Sequence, residues 1–350
     1  MRGFVKLFAV TAVAAVVAAG CTDTSRIDQG LAKVHAAGWT GKGTTVAVID
    51  RGIAEPSSVF GDRVVAEGCF TGDGTGTGTG FDTPLCPNGK NTMTGTGAAL
   101  ACASVAACSE HGHEMTALAA GNIGQQNLDG VAPEANIIAV RTGSSTFCWL
   151  PLGQCDNHDT TWALNQSFDY VYSLRNHYKI AAVNVSLGDD ELGDAAAACP
   201  DSPLAASIGK LRAAGIAVVV ASGDAGNVGT TANPACVPDA TTVGGTQQEG
   251  GLTNGHVSSV FDTAAWVDLL ATGDFVTLVH RDGSSDNLGQ GTSISAAYVT
   301  GAMALLRQQH PDWTVDQMEA QLKSTGTDTT DPRNGITFKR INIARSLGVS

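Results

Sequence analysis

The chain has 350 residues, 43% of them hydrophobic and 15% charged, so it can bury a large core and is not an unfolded tract. Its formal net charge of -13 repels phosphate backbones and argues against nucleic acid as a partner. Glycine is abundant, at 43 residues, which suits tight turns and sites lined by backbone.

The first segment is not expected to join the fold. Arg2 and Lys6 make a basic start, and Leu7 to Ala19 is almost wholly apolar. That run is short for a membrane span and right for a signal peptide over residues 1–20. It closes on Ala18-Ala19-Gly20-Cys21, which resembles a bacterial lipobox with Ala18 where Leu is usual. Cys21 is therefore a candidate lipid anchor, and an ordinary signal peptide cut near the same place is the alternative. The expected location is outside the cytoplasm: extracellular, periplasmic or anchored to a bacterial membrane.

Residues 21–43 read as a short N-terminal segment, with a helix from Gly30 to about Ala37, and residues 44–350 as one domain. Thr44 to Ile49 has a buried-strand pattern ending at Asp50. Residues 71–80, TGDGTGTGTG, form a low-complexity loop within a cysteine-bearing insertion from about Cys69 to Cys108. Thereafter helices are expected at His113–Ala120, Thr160–Asn176, Pro203–Ala214, Ser293–Gln309 and Thr314–Lys323. Strands are expected at Ile137–Arg141, Ala181–Ser186, Ile216–Ala221 and Ala240–Gly244. Alternating strands and helices imply a three-layer α/β/α fold around a mostly parallel sheet.

Nine cysteines are present, and without Cys21 eight remain: Cys69, Cys86, Cys102, Cys108, Cys148, Cys155, Cys199 and Cys236. An even set in an exported chain reads as a disulfide framework, and eight cysteines allow about 105 pairings. Cys148 and Cys155 flank one short loop and are a candidate pair. None shows the CxxC spacing of a zinc site.

Three segments carry chemistry. Val46 to Ile53, VAVIDRGI, puts the carboxylate of Asp50 at the C-terminal end of a strand, where open α/β sheets place their sites. His111 to Gly121, HGHEMTALAAG, puts His111 at a helix N-terminus, and Gly291 to Gly301, GTSISAAYVTG, puts Ser293 at the start of a long helix. A serine hydroxyl is too weakly acidic to attack unaided. A neutral imidazole must take its proton, and a buried carboxylate must fix and stabilise that imidazole. A zinc-peptidase HExxH starting at His113-Glu114 would need histidine at 117, where Ala117 stands.

The order Asp50, His111, Ser293 resembles the subtilase family of serine peptidases, and the likeness runs from about Gly41 to Ser346. Ser186-Leu187-Gly188 is similar to the family's substrate-edge strand, and Ala221-Ser222-Gly223 to the opposite wall of the primary pocket. Pro234-Ala235-Cys236 followed by Thr242 to Gly245 resembles the family's lead into the next strand, and Trp266 to Gly273 its segment before the serine loop. The resemblance implies a Cys199–Cys236 disulfide and peptide-bond hydrolysis through an acyl-enzyme, with protein or peptide substrates and no cofactor for the chemistry. It also makes a structural calcium ion an open question, although the Asn127–Asp129 loop lacks a repeated carboxylate pattern. A monomer is expected, with Ala232 at the base of a pocket for apolar or medium-sized residues.

Two departures stand out. Asp224 occupies the place where the family usually has an Asn that donates to the oxyanion; sedolisins and one branch of the proprotein convertases are similar in using Asp. Such an Asp must be protonated to donate, while His111 must be neutral, so a narrow pH window is expected. Arg51 follows Asp50 where Ser or Thr is usual, and an outward, solvated side chain is the expectation. Both departures motivate the alternative reading, a peptide-binding module of the same fold with impaired catalysis.

Overall fold

The computed structural model describes residues 30–54, 59–72, 86–101, 110–125, 128–149, 154–158, 160–188, 193–247 and 255–349, with backbone alone at 144–149, 154–158 and 287–288. The strands are β1 (Thr45–Asp50), β2 (Val64–Phe70), β3 (Thr92–Thr94), β4 (Asn136–Thr142), β5 (Ser144–Trp149), β6 (Gln154–His158), β7 (Ile180–Val185), β8 (Asp194–Ala195), β9 (Ala217–Ala221), β10 (Thr231–Ala232), β11 (Thr241–Gln247), β12 (His256–Val257), β13 (Leu269–Thr272), β14 (Asp274–Val279), β15 (Ser285–Gln290), β16 (Thr327–Thr330) and β17 (Thr337–Arg340). The helices are α1 (Leu31–Ala36), α2 (His111–Ala120), α3 (Thr161–Ser173), α4 (Ala205–Ala213), α5 (Thr292–Gln309), α6 (Val315–Thr325) and α7 (Ile343–Ser346).

One large sheet has the order β16-β17-β13-β11-β9-β7-β1-β4-β2-β3. Its centre is parallel throughout, from β2 to β17, and antiparallel pairs occur only where β3, β12 and β16 join. Strand side chains alternate between two cores. Val46, Val219 and Val243 pack with α2 and α5 on one face, while Ala47, Val218 and Val220 pack with α3 and α4 on the other. The three-layer arrangement expected from the sequence is borne out.

The central strands are apolar on both faces, which is why β1, β7 and β9 read as continuous buried runs. α5 lies within a core: from Thr292 to Arg307, Ser293 is the single residue not buried. α6 begins with a capping box, in which Thr314 and Gln317 exchange side-chain and backbone hydrogen bonds. α2 starts at His111, two residues before the expected His113. Cys199 is joined to Cys236, and Cys69 to Cys86, a pairing the sequence left open. β5 and β6 set Cys148 directly opposite Cys155 in backbone register, while their side chains lie outside the described residues. So do Cys21, Cys102, Cys108, Asn127, most of the Gly/Thr-rich loop and the whole signal segment. Among the described residues no helix is long and apolar enough to cross a membrane.

Candidate active site

The site forms where three elements end or begin at the same edge of the sheet. Asp50 is the last residue of β1, His111 the first of α2, and Ser293 the second of α5. Asp50 is 1% exposed and accepts a hydrogen bond from the Arg51 backbone N–H at 2.7 Å. His111 Nδ1 lies 2.8 Å and 3.0 Å from the two carboxylate oxygens of Asp50. A carboxylate only accepts, so Nδ1 carries the proton and Nε2 is left as the basic nitrogen. Burial works against the charged imidazole, but the charge and hydrogen bond of Asp50 outweigh it, and the His111 pKa is raised.

The close approach depends on Gly112. A Cβ there would overlap the Gly52 carbonyl and lie 2.9 Å from the Gly52 nitrogen. Only a residue without a side chain lets α2 start against the β1 loop and bring His111 within reach of Asp50.

Ser293 is fixed by a buried polar chain. Thr300 donates to Asn184 Oδ1 at 3.1 Å, Asn184 Nδ2 donates to Ser186 Oγ at 2.8 Å, and Ser186 Oγ donates to the Ser293 carbonyl at 3.1 Å. The Ser293 hydroxyl donates to the Ser186 carbonyl at 3.3 Å. Thus the segment that follows β7 and the start of α5 are locked together at Ser186.

Asp224 lies across the start of α5. Its Oδ1 accepts the Thr292 N–H at 2.8 Å, and Thr292 Oγ1 accepts the Gly223 N–H at 3.1 Å. The residue is exposed. Desolvation of its carboxyl nonetheless raises the pKa, against the hydrogen bonds from Thr292 and the charge of His111. A raised pKa is the direction required for Asp224 to donate when protonated.

The loop carrying Asp224 has a support that sequence reasoning missed. Asp262, 1% exposed, accepts the Asn227 N–H at 2.6 Å, and its own N–H donates to the Gly223 carbonyl at 2.8 Å. Gly223 has φ 118°, and a Cβ there would collide with the Asp262 carboxylate. Behind this, Arg333 fans its guanidinium over the carbonyls of Gly226, Ser259 and Phe261, and pairs with Asp331 at 2.9 Å. No local motif around Asp262 or Arg333 marks either residue. Gly188 lies beside Ala232: a Cβ at 188 would stand 3.6 Å from the Ala232 Cβ, in ordinary contact.

His280 was also not foreseen. Its Nδ1 lies 2.9 Å from Glu114 and 3.5 Å from Glu110, and its Nε2 lies 3.1 Å from Asp286. This ties the β14–β15 hairpin to the helix that begins with His111. Neighbouring His113 is 1% exposed, and burial, then Arg281 and His280, push its pKa down to about 4, so it is neutral. Among the described residues Glu110, Glu114 and His280 are the one group close enough to share an ion. An imidazole in the set does not fit calcium, which takes oxygen ligands. Asp129 uses Oδ1 to accept the N–H groups of Ile123 and Gly124 at 2.7 Å and 2.9 Å, as a turn residue does. Arg51 departs from the outward expectation: it is half-buried against Gly143, where its charge helps to lower the pKa of Arg141, burial being the larger cause.

A buried carboxylate bound to an imidazole, with a serine at a helix N-terminus on the same sheet edge, is the equipment of a serine hydrolase. The chain belongs to the subtilase family, whose family model matches residues 41–339. It is 29% identical over 313 residues to Mycosin-4 of Mycobacterium tuberculosis, covering 81% of this chain and 60% of that protein. It is 27% identical over 297 residues to Subtilisin Savinase of Lederbergia lenta, covering 84% of this chain and 87% of the relative. Among solved structures, proteases from Pseudoalteromonas arctica share the fold with a TM-score of 0.65 at 21% identity, over 88% of this chain and 90% of theirs. A cold-adapted subtilisin-like serine proteinase gives 0.60 at 24% identity, over 86% and 89%. Subtilases are serine endopeptidases that need no cofactor for catalysis, which is the class expected from the sequence.

Proposed function

We propose that the chain hydrolyses peptide bonds in extended protein segments through an acyl-enzyme on Ser293. His111 takes the Ser293 proton at Nε2 as the hydroxyl attacks the scissile carbonyl, then gives it to the leaving amine. Asp50 orients the imidazole and stabilises its charged form. The Ser293 backbone N–H and protonated Asp224 face the developing oxyanion. Ser186, Leu187 and Gly188 pair with the substrate backbone on one side, with Ala221, Ser222 and Gly223 on the other and Ala232 at the base. The Asp50–His111 contact at 2.8 Å carries this reading. The expected partners are protein or peptide substrates, and the chain acts as a monomer outside the cytoplasm, either secreted or attached through a lipid on Cys21. The two disulfides among the described residues suit an oxidising compartment.

The second reading, a peptide-binding module, is favoured by one observation: a carboxyl, which donates only when protonated, and not an amide stands beside the Thr292 N–H at residue 224. Fluorophosphonate labelling separates the two. Labelling of wild type with none in Ser293→Ala, together with casein cleavage lost in that variant, supports the peptidase. A wild type that binds peptide without labelling supports the module.

A further inference from the structure

The β14–β15 hairpin holds a residue whose conformation the core does not require. Phe275 has φ 55°, the one non-glycine residue with positive φ among those described, and it is 49% exposed. Asp274 pairs with Gln290 and Val276 with Gly289, so Phe275 is the extra residue of a β-bulge. A bulky residue in left-handed backbone is disfavoured. Next to it, Asp274 is 2% exposed; its Oδ1 accepts the Phe275 N–H at 3.0 Å and Gln290 Nε2 at 2.9 Å, while its Oδ2 is buried without a partner. Two local costs thus fall on adjacent residues, and the outcome is an aromatic ring aimed away from the core.

The position of the bulge is telling. The Gly291 N–H donates to the Gly273 carbonyl at 2.7 Å, so Phe275 lies two residues beyond the point where this strand touches the nucleophile loop. The same hairpin packs on α2 through His280 and Glu114, on the side of the imidazole. The walls for the acyl half of the substrate, Ser186–Gly188 and Ala221–Gly223, belong to other strands. What adjoins the general acid is the leaving half.

We propose that Phe275 is a specificity residue for the leaving group, contacting an apolar side chain just beyond the scissile bond. This rests on the Ser293 acyl-enzyme proposed above. Free amines test it directly. An amino-acid amide attacks the acyl carbon, its C–N bond forms as the bond to Ser293 Oγ breaks, and the amine proton passes through His111 to that oxygen.

The acyl-enzyme is made from a small ester, and the partition between water and the amides of Phe, Leu and Gly is measured. The ratio is taken on one acyl-enzyme, so changes in acylation cancel. Wild type is expected to favour Phe and Leu amides over Gly amide, Phe275→Tyr to keep that preference, and Phe275→Gly to lose about tenfold of it. Glycine tolerates the left-handed backbone, so the Tm of Phe275→Gly should hold or rise. An unchanged preference, or a loss accompanied by a fall in Tm, overturns the inference. A wild type that forms no acyl-enzyme overturns the Ser293 assignment and this inference with it, whereas an unaltered preference with a normal acyl-enzyme overturns this inference alone.

Discussion

Replacing Asp224 by Asn probes the proposed chemistry most directly. An amide can keep the bond from the Thr292 N–H, 2.8 Å in the structure, through its oxygen, and its Nδ2 then stands where the second carboxylate oxygen was. The oxyanion gains a permanent donor, and one such donor is worth about 2.7–4 kcal/mol, or 10²–10³ in kcat. An ionised Asp224 about 4 Å from the oxyanion would oppose it by a further ~4 kcal/mol at an effective dielectric near 20. In the wild type the acid limb belongs to His111, raised from 6.5, and the alkaline limb to Asp224, raised from 3.8. Activity falls below the first because the base is protonated, and above the second because the donor is lost. Asp224→Asn should remove the alkaline limb, leave the acid limb at His111, and raise kcat at about pH 8 by at least about 10²–10³-fold, the donor alone accounting for that much. Peptide cleavage across about pH 4–10 is the assay. A wild-type rate flat from about pH 6 to 10, or no gain in the variant at high pH, refutes the protonated-carboxyl reasoning.

Gly112→Ala should drive α2 off the Gly52 carbonyl, lengthen the Asp50–His111 bond and cut kcat/KM by about 10²-fold, with about 1–3 kcal/mol of destabilisation; a near-normal rate would mean that the loop yields freely. Arg333→Ala strands Asp331, which is 0% exposed, and should cost about 3–5 kcal/mol by denaturant titration. Burial opposes the Asp331 anion but Arg333 wins, so its carboxyl titrates below 3.8; the stability gained is complete above that value and lost as pH falls through the folded-state pKa. Replacing Cys199 and Cys236 by Ser together opens a crosslink of sequence separation 37 and should cost about 4 kcal/mol on chain-entropy grounds, with a lower Tm; unchanged melting would show that the Cys199–Cys236 backbone bond suffices.

The central strands were legible because burial on both faces leaves an uninterrupted apolar run, as in Ile216 to Ala221. Asp50, His111 and Ser293 were legible because each sits in a short segment whose spacing reflects chemistry. The β14–β15 hairpin carries polar residues at irregular intervals around a bulge, and no period announces it. Arg333 acts on backbone carbonyls more than 70 residues away in sequence, at Gly226, Ser259 and Phe261. Carbonyls have no sequence signature, so such a clamp becomes visible only in three dimensions. The start of α2 was misplaced because Gly112 looks like a poor helix opener, yet Gly112 is there for contact with β1 rather than for propensity. Arg51 read as a surface cation because a lone basic residue carries no mark of the Gly143 backbone that receives it.

The burial of α5 has a consequence for how the protein comes apart. Amide protons along Thr292 to Arg307 should exchange with solvent only through global opening, since the helix is enclosed by the sheet and by α2. The two-stranded β14–β15 hairpin, exposed along Asp282 to Ser285, should exchange through smaller excursions. On gentle heating, then, the molecule should lose the surface that judges what leaves before it loses the serine that cuts, and become less discriminating before it becomes inactive.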